Sequence, residues 1–374
     1  MGSCGGSCAC RTGPSTATSH HLIVRSATAQ TLAIVAEVAG TMGASVTRDG
    51  RLCHLEGRAL APLVLAIDAA LSATESAEAR AVFFPGDISG SDVLDRVMGA
   101  LSVAELAARE RHRDLVELAD APERFYARFQ PIVDLATRGT VAHEALLRAR
   151  DVGGGEIGAQ RLFTAAAAGG WINVLDRIGR ETAIQDASGW LGDGQLFVNF
   201  VPTSIYRPEV CLATTLAAAR RHEVSLSQLT FEVVETHRTD DIRQLVAVVE
   251  YYRRRGARVA LDDVGSGYAS LSLVAQIRPD VVKIDMDLVQ RLPDPTSVAI
   301  VTAIVELSHG IGATVIAEGI ETEAQAAISR ELGADLGQGW LFGRPALAGD
   351  LAARRDPERD GAAVLEPPSS ASAR

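Results

Sequence analysis

Short apolar, β-branched runs, each ending on an acidic or amide residue and each separated from the next by helical-period sequence, constrain this chain most. Residues 196–199, 229–235, 258–262, 280–285 and 313–318 have the length and composition of buried parallel strands. Between them, residues 240–255 and 295–310 repeat apolar residues at helical spacing, and Gly310 reads as a helix C-cap. This alternation specifies a parallel α/β fold with enough units to close a TIM-like (β/α)8 barrel.

Active sites of such barrels lie at the C-terminal ends of the strands. Asn199, Glu232 with Glu235, Asp262 with Asp263, Lys283 with Asp285, Glu318 and Gln338 stand at those ends, and Glu144 in the run 141–148 joins them. Any one of these carboxylates could be a helix N-cap or a solvated loop charge. Several converging on one mouth would repel and shift each other's pKa, so positive charge must sit among them. Oxygen donors without His or Cys select hard cations, Mg²⁺ or Mn²⁺. The adjacent pair Asp262-Asp263 points to two ions, roughly 3.5–4 Å apart in phosphoester-cleaving sites.

From about residue 123 to 350 the chain resembles the EAL domain family of cyclic di-GMP phosphodiesterases, whose signature tripeptide stands here as Glu144-Ala145-Leu146. The likeness runs in order through Phe129-Gln130-Pro131, Glu144 to Arg148, Phe197-Val198-Asn199, Phe231 to Glu235, Asp262 to Tyr268, Lys283-Ile284-Asp285, Ala317 to Glu321 and Gln338-Gly339. The resemblance implies that Glu144, Asn199, Glu232 and Asp262 hold one cation, with Asp262 bridging to a second held also by Asp263 and Glu318. It implies that Lys283 lies beside the attacking water, either orienting it or stabilising charge on the phosphoryl oxygens, and that Glu235 and Glu321 support the ligands, Glu235 bracing the loop after Asp263. Arg148 is the match for a substrate-phosphate contact; Leu146, Gln338 and Asp285 are further substrate-side positions. The activity implied is hydrolysis of cyclic di-GMP to linear pGpG with two Mg²⁺ or Mn²⁺ ions. The alternative is a catalytically silent EAL module that binds the dinucleotide or a protein partner; every ligand position is filled here, which favours the enzyme.

Lys283 also has a plain reading, a barrel-interior lysine that neutralises Asp285. Gly265 and Gly267 suit a tight loop with positive φ. Gly153-Gly154-Gly155 lacks the Lys-Ser/Thr sequel of a phosphate loop and reads as a flexible connection. Val264 stands where the family commonly has phenylalanine, and Ser266 takes its variable small position. Asn199 is followed by Phe-Val-Pro rather than Leu-Ser-Pro, as in EAL domains attached to input modules. These departures bear on regulation and leave the ligands in place.

The 374 residues exceed what a barrel needs. Residues 1–19 read as a disordered segment whose Cys4, Cys8 and Cys10, with His20 and His21 beyond it, could bind a soft metal or sense redox state. Residues 20–100 form a small α/β module of possible sensory role: strand 21–25, helix 27–42, strand-like runs near Val46 and Leu52, helix 59–71 and strand 81–84. A connector helix follows within 101–120, opened by the capping box Ser102/Glu105 and expected to run to Ala119 with one apolar face. The barrel occupies 121–352, and 353–374 is a disordered tail. A homodimer is expected; the connector could join it, and an amphipathic helix packed on its own chain has the same pattern. The net charge of −11 argues against a nucleic-acid polymer as partner. No run reaches transmembrane length and no signal peptide is recognisable, so no membrane insertion and a cytoplasmic location are expected.

Overall fold

The computed structural model describes residues 20–58, 60–85, 93–205, 207–233, 242–265 and 271–354. Glu235, the loop residues Ser266, Gly267 and Tyr268, the cysteines Cys4, Cys8 and Cys10, and most of the expected tail lie outside the described residues. The chain divides into two compact units, residues 1–117 with 164–170 and residues 118–163 with 171–374.

In the first unit, β1 (His20–Arg25), β2 (Ser45–Asp49), β3 (Leu52–Gly57), β4 (Arg80–Pro85) and β5 (Leu101–Ser102) form an antiparallel sheet in the order β2-β3-β1-β4-β5. Alternation sends Leu22, Val24, Cys53 and Leu55 to one face, where they are buried in one core with Leu32 and Val35 of helix Ala29–Thr41 and Leu63 and Ile67 of helix Leu60–Ala70. The helix expected from Ser102 to Ala119 is divided. Ser102 and Glu105 exchange backbone and side-chain bonds at its start, but it ends at Arg111. His112 leaves the helical region at φ −114°, ψ 21°, and a separate turn, Arg113–Val116, follows.

The second unit is an eight-stranded closed barrel. Its strands are β6 (Phe125–Asp134), β7 (Thr140–Arg150), β9 (Gln195–Phe200), β10 (Leu229–Val233), β11 (Arg258–Val264), β12 (Val281–Ile284), β13 (Thr314–Ala317) and β14 (Leu336–Gln338), closed by the β6–β7 pairing. Two short strands, β8 (Glu156–Gly158) and β15 (Ala346–Leu347), add to β7 and β6. The TIM-like barrel read from the sequence is present with one strand reversed. From β7 to β14 neighbouring barrel strands are parallel, whereas β6 is antiparallel to both β7 and β14. The reason is local. Only a short turn separates β6 from β7, in which Asp134 accepts from the N–H groups of Ala136 and Thr137, and strands joined so tightly must pair antiparallel.

Helix Pro295–Gly310 spans the residues expected, but the left-handed glycine at its end is Gly312, at φ +81°, rather than Gly310. The barrel interior is filled by Ile132, Ala142, Phe197, Ala260, Val281, Ile316 and Leu336. A second apolar layer, including Phe129, Val198, Phe231, Leu261, Ile284 and Tyr252, lies between the strands and the surrounding helices.

Candidate metal centre

Strand alternation lifts the site directly out of the interior apolar layer. Two residues beyond Ala142, Phe197, Ala260, Val281, Ile316 and Leu336, on the same inward face, come Glu144, Asn199, Asp262, Lys283, Glu318 and Gln338. Glu232 stands likewise beyond the buried Thr230. On the reversed strand the order inverts, and Gln130 precedes Ile132. Register confirms the ring: Gln130 faces Glu144 across β6–β7, and Asn199 faces Glu232 across β9–β10.

Lys283 is at the centre, with only 1% of its side chain exposed. Its Nζ lies 2.7 Å from Glu318 Oε1, 2.9 Å from Glu232 Oε1, 3.1 Å from Asp262 Oδ1 and 3.4 Å from Glu144 Oε2. Asp285 is not among its ion-pair partners in the described residues. The Asp285 carboxylate instead accepts from the Asp287 N–H at 2.8 Å and caps the helix Met286–Gln290. Glu144 is held by two amides: Asn199 Nδ2 donates to its Oε1 at 2.9 Å, and Gln338 Nε2 donates to its Oε2 at 2.7 Å. Gln338 Nε2 also reaches Gln130 Oε1 at 3.2 Å. Gln130 was missed as a site residue, although the signal was available: it lies in the motif carrying the resemblance, and the β6–β7 hairpin sets it opposite Glu144.

One oxygen each from Asp262, Asp263 and Glu318 lies within 4.8 Å of the others. In a regular strand, consecutive side chains point to opposite faces. Here the β11–β12 register shifts between Leu261 and Val264, and Asp263 takes φ +52°, so a local irregularity brings both carboxylates to one place. Gly265 follows at φ +109°, a backbone conformation that residues with a Cβ rarely adopt, which favours glycine at the turn.

Burial and charge set the ionisation. For Lys283 burial opposes the charge, but the surrounding carboxylates hold the ammonium protonated, well above its ordinary range. Burial also pushes Glu144 up, and Lys283, Gln338 and Asn199 outweigh it, leaving this carboxyl lowered. Glu232 is raised well above the usual range by burial and by Glu144. Burial and neighbouring carboxylates raise Asp263 to about 6 and Glu318 to about 8.

The donor set fits hard divalent cations. Both Glu232 oxygens and Asp262 Oδ1 are buried without an aligned hydrogen-bond donor, although the Lys283 ammonium is in ionic contact with two of them. Glu144, Glu232, Asp262, Asp263 and Glu318 set five carboxylates against one ammonium, and the four negative charges left when all are ionised equal the charge of two divalent ions.

The remaining expected residues lie outside this ring. Leu146 and Arg148 continue along the inward-facing side of β7, beyond Glu144. The Arg148 Nε is 3.6 Å from Glu156, and its Nη1 donates to the Leu147 carbonyl. Glu321 is exposed on the turn after β13. Its backbone N–H donates to Gln325 Oε1, and its carboxylate makes no ion pair among the described residues.

The family model for the EAL domain matches residues 114–345, more than half of the 374-residue chain. The chain belongs to the EAL domain family. It is 33% identical over 233 residues to an uncharacterized protein of Azorhizobium caulinodans, covering 60% of this chain and 31% of that one. It is 30% identical over 227 residues to the cyclic di-GMP phosphodiesterase NbdA of Pseudomonas aeruginosa, covering 58% and 28% respectively. The chain thus spans about a third of the length of these curated relatives. A solved complex of the PaMucR phosphodiesterase with c-di-GMP matches with TM-score 0.58 at 28% identity, over 64% of this chain and 99% of that chain.

Proposed function

We propose that this chain hydrolyses cyclic di-GMP to linear pGpG. The observation that carries the reading is the ring of Glu144, Asn199, Glu232, Asp262, Asp263 and Glu318 around Lys283 at the mouth of an EAL-family barrel. Likeness to NbdA and to the c-di-GMP complex of PaMucR supports the choice of substrate.

Glu144, Asn199, Glu232 and Asp262 would hold one Mg²⁺ or Mn²⁺, and Asp262, Asp263 and Glu318 a second. When bound, these ions supply Lewis-acid polarisation of the phosphoryl group and a water acidic enough to attack at neutral pH. The chain's own groups do the rest. Asn199 and Gln338 fix the Glu144 carboxylate from two sides, so its rotamer is set before substrate arrives. Lys283, kept charged by its neighbours, would face the phosphoryl oxygens as negative charge builds on them. The apolar layer beneath closes the barrel floor to water. Arg148 would contact a substrate phosphate, with Leu146 and Asp285 beside the bound dinucleotide. The reaction requires no covalent intermediate on the protein.

The test is incubation of the purified chain with cyclic di-GMP and Mg²⁺ or Mn²⁺, following pGpG by chromatography. Turnover that chelation abolishes, and that Glu144→Gln lowers while the melting temperature is kept, is expected. Binding of the dinucleotide with no linear product would favour a silent receptor. Assembly as a homodimer belongs to the same proposal, and light scattering of the full chain checks it. Among the described residues no helix is long and apolar enough to cross a membrane.

A further inference from the structure

The reversal of β6 has a chemical consequence at the mouth. Because β6 runs antiparallel to β7, its N-terminal half projects outward beside the end of β7, and the two carry the inward-facing side beyond the metal ring. Along β6 this side bears Gln130, Arg128 and Tyr126; along β7 it bears Glu144, Leu146, Arg148 and Arg150. Arg148 lies four residues past Glu144, roughly 13 Å along the strand.

Three of these groups contact a single carboxylate. Glu156 of β8 accepts from Tyr126 Oη at 2.5 Å and from Arg128 Nε at 2.7 Å, and lies 3.6 Å from Arg148 Nε. The Arg150 guanidinium sits 4.8 Å from the centroid of the Tyr126 ring. Two guanidiniums and a phenol thus share one carboxylate, with the Arg150 guanidinium on the phenol ring, which leaves the cluster cationic beside a strongly anionic ring. Forked guanidiniums plus a hydroxyl form a donor set suited to a phosphodiester. Glu156 is the lone acid paired with it among the described residues and is 37% exposed, so it can be displaced without unpacking a core. Burial pushes its carboxyl up, but the Tyr126 and Arg128 bonds hold it below its usual range, so it competes as a full negative charge.

Resting on the phosphodiesterase reading, we propose that Tyr126 and Arg128, with Arg148, bind the phosphate of the cyclic dinucleotide that is not hydrolysed, and that Glu156 occupies this subsite in the free protein as an internal competitor. Substrate binding would exchange one anion for another, so Glu156 sets the affinity of the mouth and takes no part in the bond cleavage.

Glu156→Gln removes the competing charge and keeps the shape. Its KM for cyclic di-GMP is expected to fall about two- to fivefold, the scale of a partly exposed ion pair, and to move more than kcat. Arg128→Ala should raise KM, and the double variant should lose the gain seen with Glu156→Gln. A KM unchanged or raised in Glu156→Gln, with Arg128→Ala neutral, would mean that Glu156 merely braces Arg148 and would overturn the proposal. Calorimetry with inorganic phosphate on the same proteins separates this from failure of the enzyme reading. If no variant or parent turns over or binds cyclic di-GMP, the phosphodiesterase reading fails. Tighter phosphate binding by Glu156→Gln would still support the subsite, and equal binding would remove it.

Discussion

Asp262 and Asp263 are consecutive in the chain, yet each offers an oxygen within 4.8 Å of the other and of Glu318. The register shift in β11 and the left-handed backbone at Asp263, φ +52°, make this possible. Asp and Asn tolerate that region better than other residues with a Cβ, so the sequence requirement at 263 is double: a carboxylate, and a residue that accepts φ > 0.

Replacing Asp263 with asparagine separates the two requirements. Asp263→Asn should leave the melting temperature near that of the parent while weakening binding of one divalent ion by on the order of 10- to 100-fold or more. Isothermal titration with Mn²⁺ reads the loss, and two equal binding steps surviving in the variant would contradict the assignment.

Cation binding should release protons and strengthen as pH rises. Without a cation, Glu318 at about 8 carries a proton at neutral pH and Asp263 at about 6 carries one below that value, and a cation binds the ionised forms. The sign for stability follows. An acid whose pKa is raised on folding binds more protons folded than unfolded between its two pKa values. Cation-free protein should therefore lose stability as pH climbs from about 5 to 8. Melting curves with and without Mn²⁺ across this range should diverge most at the alkaline end, and parallel curves would count against the coupling.

His143 gives a slope of the opposite sign at acid pH. Burial holds its imidazole down to about 4, and its ring packs edge-on to Trp190 with centroids 4.9 Å apart. An unfolded histidine charges near 6.5, so its contribution is complete above that value and is lost as pH falls from about 6.5 to 4, at a cost of about 1–3 kcal/mol. His143→Phe should flatten this part of the pH–stability profile in denaturant titrations, whatever its effect at pH 7.

A buried ion pair away from the ring should matter for folding. Asp176 and Arg180, on the helix Ile172–Ala187, lie 2.7 Å apart with side chains 1% and 2% exposed. Asp176 also accepts from the Val201 N–H at 2.7 Å and from Ser204 Oγ at 2.6 Å, tying down the segment that leaves β9 after Asn199. Asp176→Ala strands a buried guanidinium and should cost about 3–5 kcal/mol in unfolding free energy. A cost below about 1 kcal/mol would mean that the site relaxes to readmit water.

Much of this protein is written in local patterns. The five strand runs, the two long barrel helices, and the first four strands and two longest helices of the N-terminal module were legible because their signals, β-branched apolar stretches and helical periodicity, are carried by neighbours in the chain; the short helix Ala73–Glu78 and strand β5 were not read. The inward-facing Glu144, Asn199, Glu232, Asp262, Lys283, Glu318 and Gln338 were legible for the same reason, since a polar residue ending an apolar strand announces itself. Tertiary structure decided what depends on distant partners. It placed Lys283 against four carboxylates rather than Asp285, because only barrel closure brings β7, β10, β11 and β13 around β12. It turned Asp285 into a helix cap and left Glu321 on the surface. By reversing β6 it made Gln130 a neighbour of Glu144 and set Arg128 and Arg148 on the same carboxylate of Glu156. No single segment encodes that convergence, because each residue's partner is fixed by strand order and register.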